Sequence, residues 1–385
     1  MKATRCRGCQ SEHLETIHDF GLQPLAGSYP NVPNSVVAEK KFPLDLTQCR
    51  ACGLLQVINL PPIGLVFHDN YRYSSSTIPA LVRHFEEYAD WLACYLQPGA
   101  RVLEFGCNDG VLLLPLQNMG FVCKGVDASE NVAALAKAKG LDVSTGFLSE
   151  ELLQEIGLAG KFDLVTCSNV FAHIHDLSAV LRAVCFALGK NGLFAIEVHD
   201  GELLSREGQF DTVYHEHLTY YTESTLRELL ERAGFSVIAC DKTAMHGGGL
   251  RLIARLTDEV PTQLCSEGQA EILDDFISPA IARCRADLER LFAEHGPLAG
   301  YGAAGRSQMF INMTRSEVWF NRVFDDSPLR QGCYIAGTDI PITPYANESG
   351  NCLVILAWNY AEDIRKKVQG NYRQVVTLLP ELRTF

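Results

Sequence analysis

Short apolar runs alternate with amphipathic stretches through the middle of the chain. Residues 100–107 read ARVLEFGC, an apolar run closed by cysteine after glycine, and helical spacing follows from Gly110 to about Met119. FVCKGVDAS reads as a second strand ending at Asp127, and NVAALAKAKG as a second helix stopped by Gly140. KFDLVTCSNV and GLFAIEV are further short strands, with a helix over about 176–188 between them. Strand and helix in alternation predict an α/β domain with a doubly wound parallel sheet, whose ligand sits beyond the carboxyl ends of the strands. Thr222 opens another helix, TESTLRELLERAG, in a capping box where Thr225 replaces the usual Glu. Residues 266–296 carry a long charged helical pattern, interrupted near Pro279. After it, Leu298-Ala299 lead into Gly300-Tyr301-Gly302-Ala303-Ala304-Gly305, and EVWFNRVFDD and CLVILAW add strands. The tail therefore predicts a second, smaller Rossmann-like domain. The divisions expected are 1–70, 71–255 and 256–385.

The first turn, Glu104-Phe105-Gly106-Cys107-Asn108-Asp109-Gly110, is not the G-x-G-x-x-G that cradles a dinucleotide. It has two glycines four apart and an acid just ahead of them. A carboxylate there repels a pyrophosphate and suits a ligand carrying an amino group. S-adenosylmethionine has that chemistry, with Asp127 placed to accept hydrogen bonds from ribose hydroxyls. A tight turn with no ligand is the plainer alternative. His173 follows the fourth strand in Asn169-Val170-Phe171-Ala172-His173, at a carboxyl end. Tyr214-His215-Glu216-His217 crowds four polar groups that are costly to desolvate unless used. The spacing is not H-E-x-x-H, so an acid–base cluster is expected there rather than a helical zinc site. His246-Gly247-Gly248-Gly249-Leu250-Arg251 allows close backbone approach to a ligand or to another strand. The tail's G-x-G-x-x-G, with Asp325 or Asp326 beyond it, suits a phosphate by spacing. A degenerate Rossmann layer that helps hold a nucleotide-linked substrate is favoured there over a bound NAD.

Composition narrows the classes. The chain has 385 residues, 47% of them hydrophobic, which excludes wholesale disorder. Its net charge of −13 argues against polymeric nucleic acid or a membrane surface as partner. No run of about 18 apolar residues predicts a membrane span, and MKATRCRGCQ lacks a signal core. A cytoplasmic location is expected, where the 14 cysteines would not form disulfides. Cys6 and Cys9 form one C-x-x-C pair, and Cys49 and Cys52 another. Two such knuckles place four thiolates around one Zn²⁺ and leave no open position, so the metal is read as structural. Phe42–Leu46 reads as a strand within the intervening excursion. Four unpaired core thiols or a redox pair are the alternatives. The remaining ten cysteines read as small buried hydrophobes.

Taken in order, these pieces resemble the sugar C-methyltransferases that act on nucleotide-linked 4-keto deoxysugars. The resemblance spans nearly the whole chain. It rests on the paired C-x-x-C module, Tyr71-Arg72-Tyr73-Ser74-Ser75-Ser76, Glu104–Gly110, Asn169–His173, Tyr214–His217, His246-Gly247-Gly248, Arg251, Gly337-Thr338-Asp339-Ile340-Pro341 and Ala357-Trp358-Asn359. It implies three domains enclosing a sugar nucleotide, of dTDP type: a zinc domain, a class I methyltransferase domain and a Rossmann-like C-terminal domain. It implies His217 as the base, with Tyr214, Glu216 and His173 around the sugar. It places Glu104, Gly106, Asn108, Gly110, Asp127, Asn169, Tyr71 and Ser75 at the methyl donor. His215, His246, Gly247 and Arg251 fall at the substrate. Two departures stand out: Glu197-Val198-His199-Asp200 where the family has Glu-Val-Pro-Tyr, and Gly249 where it has Ser. The reaction implied is methylation at C3 through an enolate, by a monomer or weak oligomer. The competing readings are O- or N-methylation of a sugar or small metabolite, and a non-catalytic zinc-bearing binding protein.

Overall fold

The computed structural model describes residues 2–62, 65, 75–258 and 270–385. Its centre is a seven-stranded sheet in the order Phe235–Thr243, Gly249–Leu256, Leu188–His199, Phe162–Ser168, Arg101–Phe105, Val122–Asp127, Val143–Thr145. Only Gly249–Leu256 runs against the rest. Side chains alternate across a strand, so successive residues feed opposite layers. Val102, Leu164, Ala195 and Ile253 face Leu81, Phe85, Tyr88 and Leu92 of the helix Pro79–Ala93. Leu103, Phe105, Val165, Phe194 and Leu252 face Leu181 and Val184 of the helix Leu177–Ala187 and Leu226 and Leu230 of the helix Glu223–Arg232. With both faces covered, these strands read as near-continuous apolar runs.

The predicted strands and helices of this region are all present, as is the capping box: Thr225 N–H donates to Thr222 Oγ1 and Thr222 N–H to Thr225 Oγ1. The N-terminal segment builds an antiparallel sheet from Leu14–Pro24, Lys41–Cys49 and Leu55–Val57. Its fourth strand, Thr219–Tyr220, comes from the middle of the chain, directly after the histidine cluster. The C-terminal sheet orders Ile342–Thr343, Phe320–Phe324, Leu298–Tyr301, Gly350–Ile355, Tyr372–Thr377 and Arg383–Thr384, all parallel except the last.

One expectation is corrected. Among the described residues of the 266–296 pattern, 270–276 carry no helix, and the helix Ile277–His295 is not interrupted at Pro279, which lies in its first turn. The first-turn N–H groups lack intrahelical acceptors, so a proline there removes no bond. Asp275 Oδ1 accepts from Ile277 and Ser278 N–H instead.

Candidate active site and metal centre

Each C-x-x-C closes as a tight turn: Gln10 N–H donates to the Cys6 carbonyl and Gly53 N–H to that of Cys49, with both turn residues at positive φ. The four sulfurs lie within 4.8 Å of one another, with Cys6–Cys52 at 3.6 Å and Cys9–Cys49 at 3.5 Å. Zn–S bonds of about 2.3 Å in a tetrahedron require sulfurs about 3.8 Å apart, so the set fits the metal. Between the first two cysteines, Arg7 is buried and donates from Nη1 to the Val57 carbonyl at 2.7 Å and the Leu218 carbonyl at 3.4 Å.

At the carboxyl end of Arg101–Phe105, Gly106 and Gly110 both take positive φ. A Cβ at Gly106 would overlap Val170, which keeps the turn to glycine. Glu104 is 2% exposed and its Oε2 has no partner. Burial, reinforced by Asp127 and Asp109, pushes its carboxyl well above the usual range. An orphaned buried carboxylate is the group an ammonium would complete. Asp127 accepts from Asn108 N–H at 2.7 Å and Ser129 N–H at 2.8 Å, which fixes both oxygens at the strand end. Asn108 in turn accepts from Ser75 N–H at 3.0 Å, tying the preceding segment over the turn. Tyr71 lies outside the described residues. Asn169 adopts φ 55° and donates to the Glu197 carbonyl. Phe147 lies at the same edge. It follows Gly146, whose N–H donates to the Asp127 carbonyl, and it is 64% exposed at this edge. A single aromatic has no signature in sequence; only its exposure beside Asp127 marks it.

The histidines meet on the loop before Thr219–Tyr220. His217 Nδ1 lies 3.0 Å from the Thr212 carbonyl. A carbonyl only accepts, so Nδ1 carries the proton and Nε2 presents its lone pair. Tyr214 Oη donates to that Nε2 at 2.7 Å. Burial, with His173 nearby, drives the imidazolium form of His217 out, well below the usual histidine range. The His173 ring packs edge-on at 4.9 Å between centroids, its Nδ1 donating to the Glu216 carbonyl at 2.6 Å. Glu216 Oε1 accepts from Gly27 N–H at 3.1 Å, Oε2 is unpartnered, and burial raises the carboxyl to about 7.

The other expected substrate residues lie outside the His217 cluster, two of them, Gly247 and Arg251, in the lining of a separate cleft. His215 is 1% exposed and turned away from His217, its Nε2 donating to the Pro43 carbonyl at 3.0 Å. Arg251 is buried against Glu197 at 2.6 Å, over the Tyr88 ring, with His84 on the same carboxylate. His246 and Gly247 form a turn whose His246 carbonyl accepts from Arg306 at 2.6 Å. In the tail, strand and helix flank the G-x-G-x-x-G as expected. Ala303 N–H is already taken by Asp325 at 2.7 Å, however, and Gly305 faces Ala26 of the N-terminal segment. The Gly302 and Ala303 N–H groups of that turn are thus bonded within the protein, to Phe324 and Asp325. A cleft of about 650 Å³ opens between the helix Pro79–Ala93, the turn at Gly247 and the C-terminal residues Trp358–Asp363. Arg83, Lys242 and Arg383 supply its exposed cations, whereas His217 and His173 are not in its lining. Among the described residues, no helix is long and apolar enough to cross a membrane.

Residues 81–239 match the family model of a methyltransferase domain, 244–380 that of a C-methyltransferase C-terminal domain, and 6–67 that of a zinc binding domain. The C-methyltransferase NovU of Streptomyces niveus is 30% identical across 99% of this chain and 96% of its own length. The ubiquinone biosynthesis O-methyltransferase of Bordetella avium is 37% identical, but over 28% of this chain and 44% of its own. Among solved structures, the magnesium protoporphyrin IX methyltransferase of Synechocystis with bound S-adenosylmethionine is 21% identical, with a TM-score of 0.36 over 46% of this chain and 79% of that one. The full-length relative and the three matched segments agree with the four-cysteine set and the Glu104 turn: the chain belongs to the family of S-adenosylmethionine-dependent sugar C-methyltransferases.

Proposed function

We propose that the enzyme methylates C3 of a nucleotide-diphosphate-linked 4-keto deoxysugar through an enolate. The observation that carries this reading is the His217 arrangement: a buried neutral imidazole whose Nδ1 proton is held by the Thr212 carbonyl, leaving Nε2 as a lone-pair base. A carbon nucleophile needs such a base, because a C–H beside a ketone loses its proton only when the charge moves to oxygen. Nε2 of His217 takes the C3 proton. The single Tyr214 hydroxyl proton rests on that nitrogen in the free enzyme, so it must swing off Nε2 as substrate binds, freeing the lone pair, and then donates to the enolate oxygen. His173 spends Nδ1 on the Glu216 backbone, so its part is to orient the loop. The Glu216 carboxyl, with one oxygen unpartnered, holds a sugar hydroxyl. Bound at Glu104 and Asp127, S-adenosylmethionine supplies an electrophilic methyl on a sulfonium. The chain contributes proximity and the exclusion of water. Arg83 and Arg383 of the cleft are the cations for a diphosphate against the acidic background, beside Lys242, which is already paired with Asp200 and Glu202. Gly247 reaches the same cleft, and Arg251 lines it from behind.

The test is mass spectrometry of S-adenosylmethionine with a panel of nucleotide-linked 4-keto sugars, for wild type and His217→Ala. A product heavier by about one methylene and a loss of roughly 10²–10⁴-fold in His217→Ala are expected. Near-normal turnover in His217→Ala would remove the base assignment. Methyl transfer by an enzyme that exchanges no solvent deuterium into C3 when the methyl donor is withheld would favour O-methylation instead.

A further inference from the structure

The Thr212 carbonyl that selects the His217 tautomer is itself held from another domain. It ends the short 3-10 turn Phe210–Thr212, whose middle residue, Asp211, is 0% exposed. Both Asp211 oxygens are taken by Arg306, from Nε at 2.9 Å and from Nη2 at 2.9 Å. Trp358 Nε1 adds a third bond at 2.9 Å. The remaining guanidinium nitrogen, Nη1, donates to the His246 carbonyl at 2.6 Å, and the group lies over the Trp358 ring at 4.7 Å. Arg306 stands in the first turn of the helix Gly305–Thr314, and Trp358 follows the strand Gly350–Ile355. One C-terminal side chain thus grips two loops of the methyltransferase domain. Only a planar fork can bond a carboxylate with two nitrogens and keep a third for a carbonyl; a lysine ammonium cannot. Phe210 stacked on Phe310 at 5.7 Å fixes the same turn from below. Gly247 lies so close to Trp358 that a Cβ there would overlap the indole.

We propose that Arg306 is a positioning residue of the methyl-transfer reaction: by clamping Asp211 it holds the Thr212 carbonyl that keeps the His217 lone pair on Nε2. The C-terminal domain is then part of the catalytic apparatus as well as a wall of the cleft. The inference rests on His217 acting as the base, and the test separates the two. Ring nitrogen shifts of ¹⁵N-histidine are recorded for the full-length wild type, Arg306→Ala and Arg306→Lys. Turnover is measured with S-adenosylmethionine and a dTDP-linked 4-keto-6-deoxyhexose. Wild-type His217 shows a protonated Nδ1. In both variants that signature is lost, kcat falls about 10- to 100-fold, the KM for S-adenosylmethionine stays within about twofold, and free guanidinium partly restores Arg306→Ala. A His217 signature unchanged in both variants overturns the role of Arg306. A lost signature with unchanged turnover overturns His217 as base and, with it, any part of Arg306 in the reaction, leaving only its hold on the His217 ring. Should Arg306→Ala fail to fold, Arg306→Lys, which keeps the charge and loses the fork, gives the same readouts.

Discussion

Glu104 is the residue whose charge the methyl donor should change. Burial and the neighbouring Asp127 and Asp109 keep its carboxyl protonated well above the usual range. A ligand ammonium reverses that preference, so binding expels the proton. The affinity of S-adenosylmethionine is therefore expected to rise with pH across the elevated Glu104 titration. Titration calorimetry at a series of pH values, each in two buffers of different ionisation enthalpy, should report proton release on binding that fades as pH rises through the Glu104 titration. Glu104→Gln should abolish the buffer dependence and weaken binding; an unchanged buffer dependence in that variant would assign the proton elsewhere. This acid was legible in the sequence because a strand end and a glycine turn fix its place locally. Arg306 was not: its partner Asp211 is 95 residues away, and nothing near either residue marks the pair. Arg251 shows how a local pattern understates a residue's partners. A charge beside a glycine run looks available, yet Glu197 and Tyr88 occupy it from strands and helices the local sequence does not reveal.

Elements followed the sequence where their signals were local. The helix Glu223–Arg232 begins at Thr222 because the reciprocal Thr222–Thr225 bonds satisfy first-turn N–H groups that no helical carbonyl can reach. Thr222→Ala should cost about 1 kcal/mol of unfolding free energy, and Thr222→Asp should restore most of it. Urea denaturation measures both, and equal midpoints for all three proteins would show the cap to be dispensable. Pro279 misled because proline breaks a helix interior but suits a first turn; the pattern alone does not say which turn it occupies. The strand Thr219–Tyr220 was illegible for another reason. At two residues it has no period, and it exists only because Leu55 and Gln56 pair with it.

That strand decides how the whole molecule depends on its metal. The N-terminal module does not stand apart. Cys6, Cys49 and Leu54 share one core with Phe171, Tyr221 and Leu226 of the methyltransferase domain. Arg7, between two zinc ligands, bonds the Leu218 carbonyl, while Leu218 N–H bonds the Ala172 carbonyl beside His173. Gly27 of the same module holds Glu216. A zinc held by four thiolates contributes about 10–16 kcal/mol of apparent folding free energy, comparable to the whole stability of an ordinary domain at about 5–15 kcal/mol, so its loss should disorder the module. The donor site lies at the carboxyl ends of Arg101–Phe105 and Val122–Asp127, which take their support from the central sheet. Metal removal by chelator, or Cys52→Ser, is therefore expected to release one zinc per chain and to lose methyl transfer. Binding of S-adenosylmethionine should persist within about tenfold, or roughly 1.4 kcal/mol. Metal analysis, calorimetry and turnover on the same sample check this. Full turnover in zinc-free protein would show that the histidine loop keeps its geometry without the N-terminal sheet. Loss of donor binding in step with turnover would show that the metal supports the central sheet too.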